Sequence, residues 1–156
     1  MLFFIIIHIF YWRFNLNIFE KIGFKIISSR LNTTKAEDNL VFSVGQSEKN
    51  GKTISISLSS ALIDSLGWCD VDRVSILSDS KNKIGITTPY GDETTYKLIK
   101  LSPNSTKRQI KFTWKPEIIY EPLGSLRVGI EYKVLTDAGK NGISIILPES
   151  IFNKGD

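Results

Sequence analysis

Residues 51–87 read GKTISISLSSALIDSLGWCDVDRVSILSDSKNKIGIT, and this stretch decides the fold class. Ile54, Ile56 and Leu58 alternate with Ser55 and Ser57, the period of a strand buried on one side. Ser60 to Leu66 then reads as a short helical segment. Gly67 stops it, because glycine takes a left-handed conformation without the Cβ penalty. Trp68 follows as a large apolar plug, and Asp70, Asp72 and Arg73 make a polar turn. Val74 and Ile76 form a second strand and Ile84 and Ile86 a third, across a turn of Ser78, Asp79, Ser80, Lys81, Asn82 and Lys83. The order is strand, short helix, acidic turn, hairpin.

Outward from this unit the chain stays β by period. Leu40, Phe42 and Val44 alternate before Gly45, and Asn50-Gly51 marks a tight turn. The segment 94–101 reads as one strand, ended by Ser102-Pro103-Asn104-Ser105. Ile110, Phe112 and Trp114 alternate with Lys111, Thr113 and Lys115. Val128, Ile130, Tyr132 and Val134 read as another continuous run, and Ile143, Ile145 and Leu147 follow a loop at 137–142. Residues 148–152 allow at most a helical turn. We expect a mainly β protein, a small β-barrel or sandwich with one or two short helices, as a single domain over residues 40–152. An internal echo runs through it. With Ile54 set on Ile143, Ser55, Ile56 and Leu58 fall on Ser144, Ile145 and Leu147. Two readings stay open: a pseudo-repeat, or two ordinary strands.

The series strand, helix ending in Leu66-Gly67-Trp68, acidic turn and hairpin resembles the swapped-hairpin AbrB/MazE/SpoVT-like DNA-binding domains, over roughly residues 51–87. The resemblance implies a swapped-hairpin-like first half, a small regulatory protein of the kind found in phages or mobile elements, and DNA as the partner. The chain departs from the family pattern at three places. Ser59 stands where a proline usually opens the helix, Val71-Asp72 replaces Gly-Asp, and the helix carries Asp64 and no Lys or Arg. Swapped-hairpin barrels need two copies of the unit, and one chain with a second, reduced copy at 142–150 could close a pseudo-dimeric barrel alone.

Length and charge point the same way. A chain of 156 residues with 42% hydrophobic and 23% charged residues can bury a core. Its net charge of +4 is unevenly placed. Between Tyr96 and Lys115 there are six bases (Lys97, Lys100, Lys107, Arg108, Lys111 and Lys115) and no acid. That run suits a polyanion. With Lys52 and Arg73, which flank the helix, these are the candidate nucleic-acid contacts, and Lys107, Arg108, Lys111 and Lys115 are expected on one surface. DNA ranks ahead of RNA. Tyr96, Phe112 and Trp114 could stack on bases, but strict alternation favours Phe112 and Trp114 as the core side of a strand.

Catalytic readings find no support. His8 is the only histidine and sits in an apolar run; Cys69 has no neighbouring base; no phosphate-binding glycine loop occurs. The chain therefore reads as a binding protein without enzyme activity, cofactor or metal. A lone cysteine suits a reducing compartment, and the cytoplasm is the expected location. The alternative reading is a protein-interaction or mobile-element accessory module, acting as a homodimer or on another protein.

Residues 1–27 form an apolar extension and 28–39 a polar linker. Leu2 to Trp12 is apolar except for His8, which is too short for the roughly 20 residues that span a bilayer. Three readings stay open: an interfacial membrane anchor, an element of the fold, or residues outside the working protein. Their Phe, Ile, Asn, Lys and Tyr bias, typical of AT-rich DNA read without selection, favours the third.

Overall fold

The computed structural model describes residues 25–28, 39–91, 94–137 and 140–154. Most of the expected extension and linker lies outside these residues.

The alternating segments pair into two antiparallel sheets. The first contains β1 (Lys25–Ser28), β4 (Arg73–Ser78), β5 (Lys83–Thr87), β6 (Thr95–Lys97), β10 (Tyr132–Asp137) and β11 (Lys140–Ile146), in the order β1-β10-β11-β5-β4-β6. We call it sheet A. Sheet B contains β2 (Leu40–Ser47), β3 (Gly51–Leu58), β7 (Ile99–Lys100), β8 (Arg108–Thr113) and β9 (Leu126–Gly129), in the order β7-β8-β3-β2-β9. The fold is mainly β. Both sheets are open at their edges among the described residues, so the expected alternative of a closed barrel is not what they form.

One hydrophobic core lies between the sheets. Leu40, Phe42, Ile54 and Ile56 of sheet B join Ile84, Ile86, Ile143 and Ile145 of sheet A in it, each with no exposed surface. Burying a side chain of this size contributes about 1.5–3 kcal/mol, and the period-two pattern ensures that each of these strands supplies several. No helix among the described residues is long and apolar enough to cross a membrane.

The helix α1 (Ser60–Leu66) closes one end of this core with Leu62, Ile63 and Leu66. Its start is fixed by Ser59, whose Oγ accepts from the Leu62 amide at 3.1 Å and donates to Asn39 Oδ1 at 2.9 Å. Serine at this place does the capping that an unsupported first turn needs. Its end is Gly67 at φ 69, ψ 31. The Gly67 amide donates to the Asp64 carbonyl (3.1 Å) and the Trp68 amide to the Ile63 carbonyl (3.0 Å), so two otherwise orphaned carbonyls are satisfied. The turn delivers Trp68 into the core with 1% of its surface exposed.

Two of the expected strands are each divided between the sheets. The segment 94–101 is β6 in sheet A and β7 in sheet B, with Leu98 buried at the crossing. The run 128–134 is the end of β9 in sheet B and the start of β10 in sheet A, with Ile130 buried between them. The alternation survives both crossings because both sheets face the same core. β1 straddles residue 27, the expected end of the extension, and pairs with β10 at the edge of sheet A.

The echo between 54–58 and 143–147 has counterparts in the pairing. β2 and β3 form a hairpin in sheet B that leads into α1; β10 and β11 form one in sheet A that leads into a 3-10 turn, Glu149–Ile151. Ile54, Ile56, Ile143, Ile145 and Leu147 have no exposed surface, and Leu58 only 1%. The hairpin β4–β5, which follows α1, pairs through β5 with β11 rather than with β3.

Candidate nucleic-acid interface

The strands of sheet B contain Lys52, Lys100, Arg108, Lys111 and Arg127 and neither Asp nor Glu. Side-chain alternation splits these cations between the two faces. On β8, Arg108, Ile110 and Phe112 point inward, and Gln109, Lys111 and Thr113 outward, as their burial shows. The outward assignment is supported by Gln109 Nε2, which donates to Ser57 Oγ at 3.2 Å across the β3–β8 pair.

Arg108 therefore does not share a surface with Lys111. Its side chain is turned in and the residue is 4% exposed. The guanidinium donates to the carbonyls of Ser105 (3.3 Å), Thr106 (2.8 Å) and Cys69 (3.1 Å), tying the loop before β8 to the turn after α1. Carbonyl dipoles solvate the buried charge in place of water. Arg108 is a structural cation, and the expected stripe of four bases loses it.

Lys52 is also committed. Its Nζ lies 2.8 Å from Glu121 Oε1 and 2.7 Å from the Pro122 carbonyl, and its side chain is 12% exposed. The bond from Lys52 holds the Glu121 carboxyl below the usual glutamate range. Arg73 remains exposed, with Nε on Thr95 Oγ1 (2.6 Å) and a terminal nitrogen on the Thr95 carbonyl (2.9 Å), and stands in register with Lys97.

The remaining five candidates, Lys97, Lys100, Lys107, Lys111 and Lys115, are exposed, and none has an ion pair among the described residues. They fall into two groups. Lys97 and Lys100 flank the crossing at Leu98. Lys100 is paired opposite Arg108, next to Lys107, whose carbonyl accepts from the Leu101 amide. Lys111 lies farther along β8 on the outward face. Lys115 sits past the far end of β8, where the Trp114 amide reaches the Lys52 carbonyl. At about 3.4 Å per residue, Lys107 and Lys115 are at most about 27 Å apart.

The aromatic side chains of the basic run face the core. Phe112 is 7% exposed and its ring centroid is 5.4 Å from that of Tyr96; Trp114 Nε1 donates to the Ile119 carbonyl at 3.1 Å. They present no stacking platform. Cys69 is exposed, and its thiol donates to Asp64 Oδ1 at 3.2 Å, which together with partial desolvation pushes its pKa up. That direction is opposite to the one a nucleophilic thiol needs.

One cation of the outward face was missing from the sequence-based set. Arg127 on β9 is exposed and aligned with Ser43 of β2, which is aligned with Ser55 of β3 and through it with Lys111. Alternation with Leu126 and Val128 marks Arg127 as outward-facing, but its place beside β2 comes from a pairing of strands about 85 residues apart. No family model matches the chain, and no curated protein or solved structure matches it.

Proposed function

We propose that this chain is a small, non-enzymatic nucleic-acid-binding regulator, with DNA as its main partner, that carries both units of a swapped-hairpin arrangement. The observation that supports nucleic-acid binding is the exposed group Lys97, Lys100 and Lys107 beside the β7–β8 edge of sheet B, with Lys111 farther along the outward face of β8, none of them in an ion pair among the described residues. Holding like charges together without carboxylate partners lowers stability and is useful to a protein that meets phosphates. The swapped-hairpin reading draws on β4–β5, which leaves the β2–β3 unit through α1 and pairs with the β10–β11 unit.

The test is retention on duplex DNA, single-stranded DNA and RNA at about 50 and 200 mM salt. Six to ten phosphate contacts would lose about 10³–10⁵ in affinity between these concentrations, and fewer contacts proportionately less. Failure to bind any of the three at about 50 mM salt would end this reading.

A second reading, a protein-interaction module, is favoured by Ile99 (45% exposed) and Leu101 (50% exposed) on and beside the short edge strand β7. An apolar edge with unpaired backbone groups invites another strand. Under this reading Leu101→Lys abolishes self-association or partner capture and leaves DNA retention unchanged.

A further inference from the structure

We propose that the outward face of sheet B is a track for the phosphate backbone of a duplex, gripped at Lys111 and Arg127 and read without base stacking. The proposal rests on the nucleic-acid reading above and specifies where the ligand lies and of which kind it is.

Strand registration sets the geometry. Lys111, Ser55, Ser43 and Arg127 occupy one row across four strands. Neighbouring strands lie about 4.7–4.9 Å apart, so the two cations are rooted about 14 Å from each other. That separation is close to the roughly 12 Å width of a B-form major groove. Two flexible cationic side chains can thus meet phosphates on opposite walls of the groove. Between them the row holds only serines, Ser43 half-buried and Ser55 9% exposed. Such short side chains put no bulk between the two cations, so both can reach phosphates at once.

Charge complementarity carries the choice of an anionic partner, since no strand of this sheet contains an acid. The absence of outward aromatics carries the choice of duplex over single strand. The outward positions of the sheet B strands hold Ile, Gln, Thr, Ser, Val, Gly, Lys and Arg, whereas Phe42 and Phe112 face the core. Single-strand binders gain about 1–3 kcal/mol per base from aromatic stacking, and this face offers none. Contacts confined to phosphates give binding that depends on salt and is nearly indifferent to sequence.

The experiment compares the parent chain with Lys111→Glu, Arg127→Glu and, as a control in sheet A, Lys133→Glu. Each protein is titrated against one duplex and its separated strand between about 50 and 200 mM salt, with thermal melts to verify folding. The expected result is duplex binding at least as tight as single-strand binding. Lys111→Glu and Arg127→Glu each reduce the log–log salt slope by about one, equally for two unrelated duplex sequences. Lys133→Glu matches the parent. Conservative Arg127→Lys restores the slope lost in Arg127→Glu. A parent that binds duplex but is unaffected by Arg127→Glu, while Lys97→Glu or Lys107→Glu weakens it, overturns the track and leaves the nucleic-acid reading standing. Tighter binding to the single strand overturns the choice of duplex. A parent that binds neither ligand at about 50 mM salt overturns both.

Discussion

The hairpin β2–β3 with its helix and the hairpin β10–β11 with its 3-10 turn begin alike and end differently. Both bury an Ile-x-Ile-x-Leu run, at Ile54, Ile56 and Leu58 and at Ile143, Ile145 and Leu147, and both turn helical after one further extended residue, Ser59 or Pro148. After that residue the local chemistry diverges. Ser59 offers a hydroxyl to the Leu62 amide, and a seven-residue helix follows, closed by Gly67. Pro148 offers no side-chain cap, and the chain makes a three-residue 3-10 turn. The comparison separates two causes: alternation sets the strand and its inward face, whereas the capping residues set how much helix comes next.

The largest effect is expected where the first unit has what the second lacks. Trp68 is a fully buried plug delivered by the Gly67 turn, and Trp68→Ala should cost about 3–5 kcal/mol in denaturant melts. A loss under about 1 kcal/mol would contradict its burial in the core. Where the units match, the costs should match. Ile54→Ala and Ile143→Ala, both at sites with no exposed surface, should each lose about 2–5 kcal/mol and lie within about 1 kcal/mol of each other. A large inequality would show that the common strand pattern hides different packing.

The turn chemistry gives smaller effects. At Gly67 a Cβ would have open space, with nothing within 4 Å, so the cost of Gly67→Ala is backbone strain alone. A left-handed L-residue costs about 1–2 kcal/mol, and Gly67→Asn should recover part of that. Equal melts for Gly67→Ala and the parent would contradict the φ of 69 found there. Ser59→Ala should lose about 1 kcal/mol, the usual value of an N-cap. Ser59→Pro should lose more than Ser59→Ala, because the Ser59 amide also donates to the Asn39 carbonyl at 2.8 Å. A Ser59→Pro variant as stable as the parent would mean that the two units tolerate each other's turn residue.

The stretch 51–87 was legible because each of its signals is local: a two-residue period, a helix of about two turns, a glycine stop and a polar hairpin loop. The helix lies at Ser60–Leu66, as the residues alone suggest, and the hairpin β4–β5 encloses the expected turn. The segments around Leu98 and Ile130 were misread for the same physical reason as each other. Period two reports which side of a strand meets the core, and it does not report which sheet the strand has joined. The basic run suffered similarly. Lys107 and Arg108 are adjacent in sequence, yet Lys107 is exposed and Arg108 is buried, with its donors spent on carbonyls, one of them 39 residues away at Cys69. Arg127 needed the β2–β9 register, a non-local fact, to join the row with Lys111.

The smallest predicted effect concerns the start of β3, where the first unit has a tie that the second does not show among the described residues. Lys52 bonds Glu121, and the bond keeps the carboxyl ionised to lower pH than an unfolded chain would. A group with a lowered folded-state pKa binds fewer protons when folded, so its contribution is fully present above the unfolded value and disappears as pH falls through the folded value. Lowering the pH from about 7 through the carboxylate range should therefore weaken the parent more than Glu121→Gln, when each is followed by its own melting temperature. The difference should shrink in high salt, because Glu121 is largely exposed and its attraction to Lys52 is screened. Parallel melting curves for parent and variant across that pH range would show that the Lys52–Glu121 contact forms without stabilising the β3 end of the first unit.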